Sequence, residues 1–383
     1  MIHKNNMHET FCTLAAIDSP SKEERAAADW LKARLALMGA DIVEEDAAGE
    51  AVGANSGNVI AKWEATAPHL PSLLFSAHMD CVSPCRGVRP VLENGVYRSQ
   101  GDTILGSDDK AGITAILEGI RCFLAQEPQH GAIWAVFTIC EEIGLLGAKH
   151  FTYDVGTIDM AYALDISGAP GGIVVRAPGQ NSLHITLHGK TAHAGLAPET
   201  GINALVMAAR GIAASPCGRI DEETTANIGI VRGGTATNIV PDTAVIEGEV
   251  RSLNPEKLVR YTADMKAAFE TAAAELGGTA DILVESSYEP MELAANSPTV
   301  TCAKAAAESL GFPVRIESTG GGSDANVFCR RGLPMAILAV GMTHPHTTKE
   351  ELQEIHLYQS GAWVYEILRQ AHTFEYDKKE NSK

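Results

Sequence analysis

The chain has no long hydrophobic run, no paired cysteine motif and no excess of basic residues. Its longest apolar stretches are about ten residues, whereas a membrane-spanning helix needs roughly twenty. The formal net charge of −18 argues against a nucleic-acid-binding surface. The first residues are polar and mixed in charge, unlike a secretory signal. We therefore expect a cytoplasmic protein that binds neither membranes nor nucleic acids.

The eight cysteines are scattered, and none forms the Cys-x-x-Cys pair that is typical of structural zinc sites. Several lie in apolar patterns, where a thiol behaves as a small hydrophobic group. We interpret them as reduced, in keeping with the expected location. The length of 383 residues and the hydrophobic content of 45% are sufficient for about two domains with ordinary cores.

Helical and strand patterns alternate in the first part of the chain and again near its end. The residues from Ser21 to Glu24 fit a capping box before a helix through Trp30 to Met38. Other predicted elements are a helix at 109–126 and strands at 41–45, 58–64, 73–78, 132–140 and 160–165. This alternation predicts an α/β domain with a mixed sheet sandwiched by helices. We expect it to be discontinuous, with residues 1–178 and 291–383, a last helix from Glu350 to about His372 and a charged tail.

The middle of the chain has a different order of elements. Strands are predicted at 181–189, 225–231, 243–253 and 282–288, and helices at 201–214 and 254–277. Asn254 is the expected cap of the second helix, with Pro255 at its first position. The order β-α-β-β-α-β is that of a ferredoxin-like α+β domain. We expect residues 179–290 to form this inserted domain.

Four apolar runs end in side chains that can bind metals. The run 132–140 is followed by Glu141 and Glu142, two adjacent carboxylates that would repel each other without a nearby cation. The other three runs end in His78 with Asp80, in Asp165, and in His344 with His346. Ligand sites in open α/β sheets lie beyond the carboxyl ends of the strands. The sequence therefore predicts one metal site at that edge.

The segment from Gly106 to Gly112 contains the candidates for a carboxylate shared between two metals, the adjacent Asp108 and Asp109. The alternative is that one of the two caps the following helix. Carboxylate and imidazole ligands without thiolates suit zinc, with manganese or cobalt as other candidates. Two such metals about 3.5–4 Å apart can activate a water molecule and polarise an amide carbonyl. We therefore expect an enzyme that hydrolyses amide bonds.

Four motifs in this order resemble the co-catalytic zinc exopeptidase family, which includes peptidase T, glutamate carboxypeptidase and acetylornithine deacetylase. The motifs are Ser76-Ala-His-Met-Asp80, Gly106-Ser-Asp-Asp-Lys-Ala-Gly112, Cys140-Glu-Glu-Ile-Gly144 and Ala163-Leu-Asp165. The second motif and the segment Thr235–Pro241 are most similar to the peptidase T branch. The resemblance covers nearly the whole chain. It implies a two-zinc enzyme that acts on short peptides, such as a tripeptide aminopeptidase. The alternative is an amidohydrolase that acts on N-acyl amino acids.

The resemblance also implies roles for the strand-end residues. One metal would be held by His78, Asp108 and Asp165, and the other by Asp108, Glu142 and His346. Asp80 would orient His78. Glu141 would be the general base, taking a proton from the water between the metals and passing it to the leaving amine. His344 competes with His346, but His346-Thr347 followed by Glu350 matches the ending of the family's motif.

The resemblance extends to the inserted domain, which corresponds to a lid and dimerisation domain. His193 in Gly189–Gly195 would stabilise the oxyanion, and a homodimer would form through this domain. Asn238 and Arg251 match positions that hold polar groups of the substrate, although Arg251 could equally form an ion pair on its strand. The glycine-rich segment at 320–326 lacks the lysine and spacing of a phosphate loop. Gly321, Ser323 and Asp324 would line the substrate cleft, with a plain turn as the alternative.

Overall fold

The computed structural model describes residues 2–372. The helices are α1 (Lys4–Ala15), α2 (Arg25–Leu37), α3 (Ala48–Val52), α4 (Ser107–Leu124), α5 (Leu146–Lys149), α6 (Ala204–Ala214), α7 (Pro255–Glu275), α8 (Pro298–Ser309), α9 (Asp324–Arg330) and α10 (Glu354–Ala371). The first nine strands are β1 (Ile42–Glu45), β2 (Val59–Trp63), β3 (Leu73–His78), β4 (Pro90–Glu93), β5 (Val96–Ser99), β6 (Ile133–Thr138), β7 (Met160–Ile166), β8 (Gly172–Ala177) and β9 (Gly179–His188). The other strands are β10 (Gly218–Arg219), β11 (Thr224–Gly233), β12 (Thr243–Ser252), β13 (Thr279–Tyr288), β14 (Met291–Glu292), β15 (Arg315–Ser318), β16 (Met335–Ala339), β17 (Met342–Thr343) and β18 (Glu351–Gln353).

The described residues form two compact units. The first comprises the chain up to Val175, Glu292–Ser318, and the residues from Ser323 onward. The second comprises Arg176–Met291 and Thr319–Gly322. Across residues 2–372, no helix is both long and apolar enough to cross a bilayer. The charged tail that the sequence predicts lies outside the described residues.

The first unit contains a nine-stranded mixed sheet in the order β1-β2-β6-β3-β7-β16-β8-β14, with β15 beside β8. The pairs β6–β3, β3–β7 and β7–β16 are parallel, whereas β1–β2, β2–β6 and β16–β8 are antiparallel. Every residue of β3 and β6 is buried. Their β-branched and aromatic side chains suit strands that are covered on both faces. Helix α4 packs on β3 and β7, and α1 and α10 pack on α4. The predicted α/β fold is confirmed.

The parallel strands bring their carboxyl ends to one edge of this sheet. Strand β3 ends at His78, β6 ends just before the Glu141–Glu142 pair, and β7 contains Asp165 next to its last residue. Strand β16 leads into the segment that contains His346. The residues that the sequence singles out therefore follow strands that lie side by side in the sheet.

Two local predictions are wrong. Helix α2 begins at Arg25, because Ser21 does not cap it: the Ser21 hydroxyl donates a hydrogen bond of 2.6 Å to Oδ2 of Asp80. The last helix begins at Glu354 rather than Glu350, because the three residues before it pair with β5 as strand β18. That strand belongs to a four-stranded sheet, β17-β18-β5-β4, which the sequence does not predict.

The second unit is built on an antiparallel sheet in the order β10-β11-β12-β9-β13. Apart from the short β10, this is the strand order of the ferredoxin-like fold, as predicted. Helices α6 and α7 cover one face, where Leu183, Ile185 and Leu187 of β9 pack with Phe269 of α7. The Asn254 side chain accepts hydrogen bonds from two backbone N–H groups at the start of α7, which confirms its role as a cap.

Candidate metal centre

His78 lies buried at the end of β3 and faces two carboxylates. Its Nε2 is 3.2 Å from Oδ1 of Asp108 and 3.7 Å from Oδ1 of Asp165. Its Nδ1 is 2.9 Å from the backbone carbonyl of Asp80, and the Asp80 carboxylate is more distant at 3.5 Å. These acceptors favour a proton on Nδ1, so Nε2 is the nitrogen that faces the two carboxylates. An imidazole nitrogen among carboxylate oxygens is a natural arrangement of metal ligands.

His346 faces Asp108 from the opposite side. Its Nε2 is 3.3 Å from Oδ2 of Asp108 and 3.0 Å from Oε2 of Glu142. One oxygen of Asp108 therefore faces His78 and the other faces His346, the arrangement required of a carboxylate shared between two cations. His344 has no such contact and lies beside a surface pocket that is lined also by Arg98 and Lys349.

The donor atoms fit divalent cations in spacing and in chemistry. Ligands around a tetrahedral zinc at about 2.0–2.2 Å are separated from one another by roughly 3.4 Å. The distances of 3.0–3.7 Å between the facing atoms bracket this value. Oε1 of Glu142 is buried and has no hydrogen-bond partner among the described residues. Two groups of ligand atoms lie within 4.8 Å of one another: His78 with Asp108 and Glu142, and His78 with Asp109 and Asp165.

Burial and close polar partners shift the pKa values of these groups. Burial raises the pKa of Asp165 to about 8. Burial also raises the pKa of Glu141 well above its usual range, and the charge of Asp165 adds to the shift. Hydrogen bonds to Asp108 and Glu142 raise the pKa of His346 to about 10. Bound cations would supply the positive charge that these buried carboxylates need in order to stay ionised.

Asp80 fixes the adjacent glutamates through their backbone. Its Oδ1 accepts a hydrogen bond of 2.9 Å from the N–H of Glu141, and its Oδ2 accepts one of 3.2 Å from the N–H of Glu142. Cys140, just before the pair, has a φ of +52° and turns the chain sharply after β6. Asp80 therefore positions the glutamate pair as well as contacting His78.

Two further buried carboxyl groups support this centre, and sequence reasoning missed the role of the first. Glu24 accepts hydrogen bonds from the N–H groups of Lys22, at 2.9 Å, and Cys140, at 3.0 Å. The only sequence signal was its place in the apparent capping box. Asp109 accepts a hydrogen bond of 3.1 Å from the N–H of Gly112, so the capping alternative fits Asp109 rather than Asp108.

Ser323 and Asp324 are buried at the start of α9 and form hydrogen bonds with other side chains of the first unit. The Ser323 hydroxyl donates a hydrogen bond of 2.6 Å to Oδ2 of Asp165. Oδ2 of Asp324 accepts a hydrogen bond from the Thr138 hydroxyl at the end of β6. Its Oδ1 is buried and has no partner within residues 2–372. These contacts connect α9 to the ends of β6 and β7.

The second unit contains His193 and Asn238 in paired segments. Nδ1 of His193 accepts hydrogen bonds of 3.2 Å from the N–H groups of both Gly195 and Leu196. These two donors favour the tautomer that has its proton on Nε2. The carbonyl of Asn238 accepts a hydrogen bond of 3.0 Å from the N–H of Ala194. The imidazole therefore has an N–H available to donate.

Arg251 and Gly321 also lie in the second unit. Nε and Nη2 of Arg251 are 2.9 and 3.1 Å from the two carboxylate oxygens of Glu249, so the ion-pair alternative describes this structure. Gln180 donates a hydrogen bond of 3.0 Å to the same carboxylate. A side chain at Gly321 would meet only the Thr319 hydroxyl, at 4.0 Å.

Comparisons with known proteins agree with this architecture. The pattern of the peptidase dimerisation domain matches residues 176–276, and that of peptidase family M28 matches residues 58–200. The aminopeptidase PepT from Bacillus cereus is 41% identical, with a TM-score of 0.90 over 97% of this chain and 99% of that chain. The chain belongs to the co-catalytic zinc exopeptidase family of peptidase T. It is therefore a hydrolase of the metallopeptidase class.

Two further relatives span nearly all of this peptidase T-like chain. A tripeptidase from Staphylococcus aureus subsp. aureus Mu50 is 38% identical, with a TM-score of 0.94 over 98% of this chain and 100% of that chain. The uncharacterized protein YqjE from Bacillus subtilis strain 168 is 42% identical and covers 97% of this chain and 100% of its own length. The similarity includes both units.

Proposed function

We propose that this chain removes the first residue from short peptides with a free amino terminus, tripeptides among them. The substrate class is suggested by the aminopeptidase and the tripeptidase that share about two-fifths of its residues. The match to a dimerisation domain supports a homodimer. We place the enzyme in the cytoplasm, because its eight cysteines form no disulfide in the described residues.

One observation carries the assignment of roles at the centre. Of the two adjacent glutamates, Glu142 lies 3.0 Å from His346 within the ligand group. The Glu141 carboxylate is nine-tenths buried, and no described residue forms a hydrogen bond or ion pair with it. A carboxylate that is held at the centre but is not committed to a partner is suited to accept and return a proton. We therefore assign Glu141 as the general base.

The ligand set follows the geometry of the facing atoms. His78, Asp108 and Asp165 would hold one Zn²⁺, and Asp108, Glu142 and His346 the other, with Mn²⁺ or Co²⁺ as other occupants. When bound, such a pair of cations acidifies water and polarises the amide carbonyl. Asp80 holds the backbone of both glutamates, so that Glu141 keeps its place beside the ligand Glu142.

The residues of the second unit would bind the substrate. The Nε2–H of His193 would donate to the negative charge that develops on the carbonyl oxygen. Asn238, Gly321 and the guanidinium of Arg251 would hold polar groups of the peptide, with Arg251 exchanging part of its contact with Glu249 for the terminal carboxylate. Asp324 would contribute from the start of α9, where Ser323 would instead hold the proposed ligand Asp165.

The test compares zinc-loaded and chelator-treated protein on di- and tripeptides whose amino termini are free or acetylated. We expect zinc-dependent release of the first residue from free tripeptides, and loss of turnover by at least about a hundredfold in Glu141→Gln. Glu93→Gln, which alters an exposed glutamate in β4, is the matched control. Cleavage of acetylated substrates alone would instead identify the amidohydrolase alternative. Full activity of Glu141→Gln would refute the proposed base.

A further inference from the structure

Glu350 is a buried carboxylate whose two oxygens are fully engaged. It is 2% exposed and lies just before β18. Its Oε2 accepts hydrogen bonds of 2.8 Å from the N–H groups of Leu105 and Gly106. Its Oε1 accepts one of 2.6 Å from the Ser107 hydroxyl and one of 3.0 Å from the N–H of Asp108. Four donors on a single carboxylate form an unusually complete site for this charge.

All four donors belong to one short segment, residues 105–108, which leads into α4. Asp108 and Asp109 have non-helical backbone angles, so these donors lie before the regular part of the helix, and backbone N–H groups that converge in this way attract an anion. Glu350 supplies this anion from a segment more than 240 residues further along the chain. The contact therefore fixes the backbone of Asp108 against the segment that contains Glu350.

The same segment contains His346, four residues before Glu350. Nε2 of His346 is 3.3 Å from Oδ2 of Asp108, so this segment contacts the segment before α4 at two places. The first contact joins the proposed ligands His346 and Asp108. The second joins the Glu350 carboxylate to the backbone that leads to Asp108. The distance between Asp108 and His346 thus depends on the position of Glu350.

We propose that Glu350 is a positioning residue of the metal centre, which sets the distance between Asp108 and His346. The proposal rests on the ligand roles given to these two residues above. Loss of the carboxylate would release the start of α4 and let the two ligands separate. Removal of partners that orient metal ligands typically lowers metal affinity by 10- to 100-fold. A role limited to capping α4 would affect stability but would leave metal affinity unchanged.

The first test is Glu350→Gln, in which an amide NH₂ of equal size faces backbone donors in place of one oxygen. The control is Glu118→Gln in the same helix, because Glu118 is fully buried and accepts hydrogen bonds from Thr10, Arg34 and Arg121. Affinity for Zn²⁺ is measured by competition with a chelator, and the visible absorption of the Co²⁺-loaded protein reports ligand geometry. No peptide is present, so the result does not depend on the outcome of the hydrolysis assay.

We expect Glu350→Gln to bind Zn²⁺ about 10- to 100-fold more weakly and to change the Co²⁺ spectrum. Glu118→Gln should lower the melting temperature and leave both measurements unchanged. Equal Zn²⁺ affinities in the two variants would overturn the proposal. If Glu350→Gln does not fold, Ser107→Ala removes a single one of the four hydrogen bonds. A fall in its Zn²⁺ affinity of at least about threefold supports the proposal, and an unchanged affinity refutes it.

Discussion

The hydroxyl of Ser323 donates a hydrogen bond of 2.6 Å to Oδ2 of Asp165. Ser323 is buried, and it caps α9 while it holds the carboxylate. The other oxygen of Asp165, Oδ1, faces Nε2 of His78. The serine thus leaves one carboxylate oxygen directed at the candidate metal position.

From this contact we expect Ser323→Ala to weaken metal binding by roughly tenfold, because Asp165 would lose the partner that orients it. The KM for a tripeptide at saturating metal should stay unchanged. Metal titrations of activity, together with KM measured at saturation, separate the two effects. A raised KM with unaltered metal affinity would instead support the role in the substrate cleft that the sequence indicates.

The two histidines after β16 should respond differently to substitution. His346→Ala removes the nitrogen that faces Asp108 and Glu142, so we expect loss of one bound metal per chain and of nearly all activity. His344→Ala should retain the bound metals and the activity, since His344 makes no contact with these carboxylates in the described structure. Elemental analysis of the purified variants counts the bound metals. Retention of two metals by His346→Ala would contradict the proposed ligand set.

Glu45, which is not part of the metal centre, should make the stability of the protein depend on pH in the acid range. Its carboxylate pairs with Arg25 and Lys32 and accepts a hydrogen bond of 2.9 Å from the N–H of Gly57. The hydrogen bond to Arg25 is the main cause that lowers its pKa from 4.5 to about 2. The unfolded chain therefore binds the proton more readily. The stabilisation is complete above about pH 4.5 and is lost as the pH falls towards 2.

Glu45→Gln should therefore lower the free energy of unfolding by about 1 kcal/mol at pH 7, a value reduced by the partial exposure of the ion pairs. The difference from the wild type should shrink as the pH falls to 2 and vanish only below that value. Denaturant unfolding at several pH values measures this difference, and Glu93→Gln is the exposed control. A difference that is independent of pH would show that the carboxylate charge is not responsible.

Gly322 is the position in the glycine-rich segment where a side chain has no room. A Cβ there would lie 2.3 Å from Cζ of Tyr288, whereas a Cβ at Gly320 would meet nothing within 4 Å. We expect Gly322→Ala to destabilise the protein by about 1–3 kcal/mol, because the tyrosine must move. The free energy of unfolding of Gly320→Ala should be within about 0.5 kcal/mol of the wild-type value. Thermal unfolding is measured for both variants and for the double variant Gly322→Ala/Tyr288→Ala. If the clash is the cause, the double variant should lose less free energy of unfolding than the sum of the losses of Gly322→Ala and Tyr288→Ala.

The sequence predicts the elements that depend on local pattern. Strand β3 was predicted at 73–78 and is observed at Leu73–His78, because its apolar run and its flanking residues define both ends. The sequence also indicates that ligands follow these strands, and the structure places Nε2 of His78 3.2 Å from Asp108 and 3.7 Å from Asp165.

Features that depend on distant partners could not be predicted in this way. The hydroxyl of Ser21 has the spacing of a helix cap, but its partner is Asp80, 59 residues away. Strand β18 has three residues and exists because it pairs with β5, some 250 residues earlier. Arg251 is an intermediate case. Glu249 is two residues away and must share its face of the strand, so the ion pair was visible as an alternative.

The central strand β16 has a consequence for synthesis on the ribosome. It pairs with β7 on one side and β8 on the other, yet it is translated after the whole of the second unit. A nascent chain that has reached residue 330 therefore has a gap in the middle of its largest sheet and still lacks His346. The second unit contains its own core and can fold while this gap is open. With the proposed ligand set, metal capture would have to wait for the last tenth of translation, and truncated chains would then accumulate as inactive apoprotein rather than as a partly working enzyme.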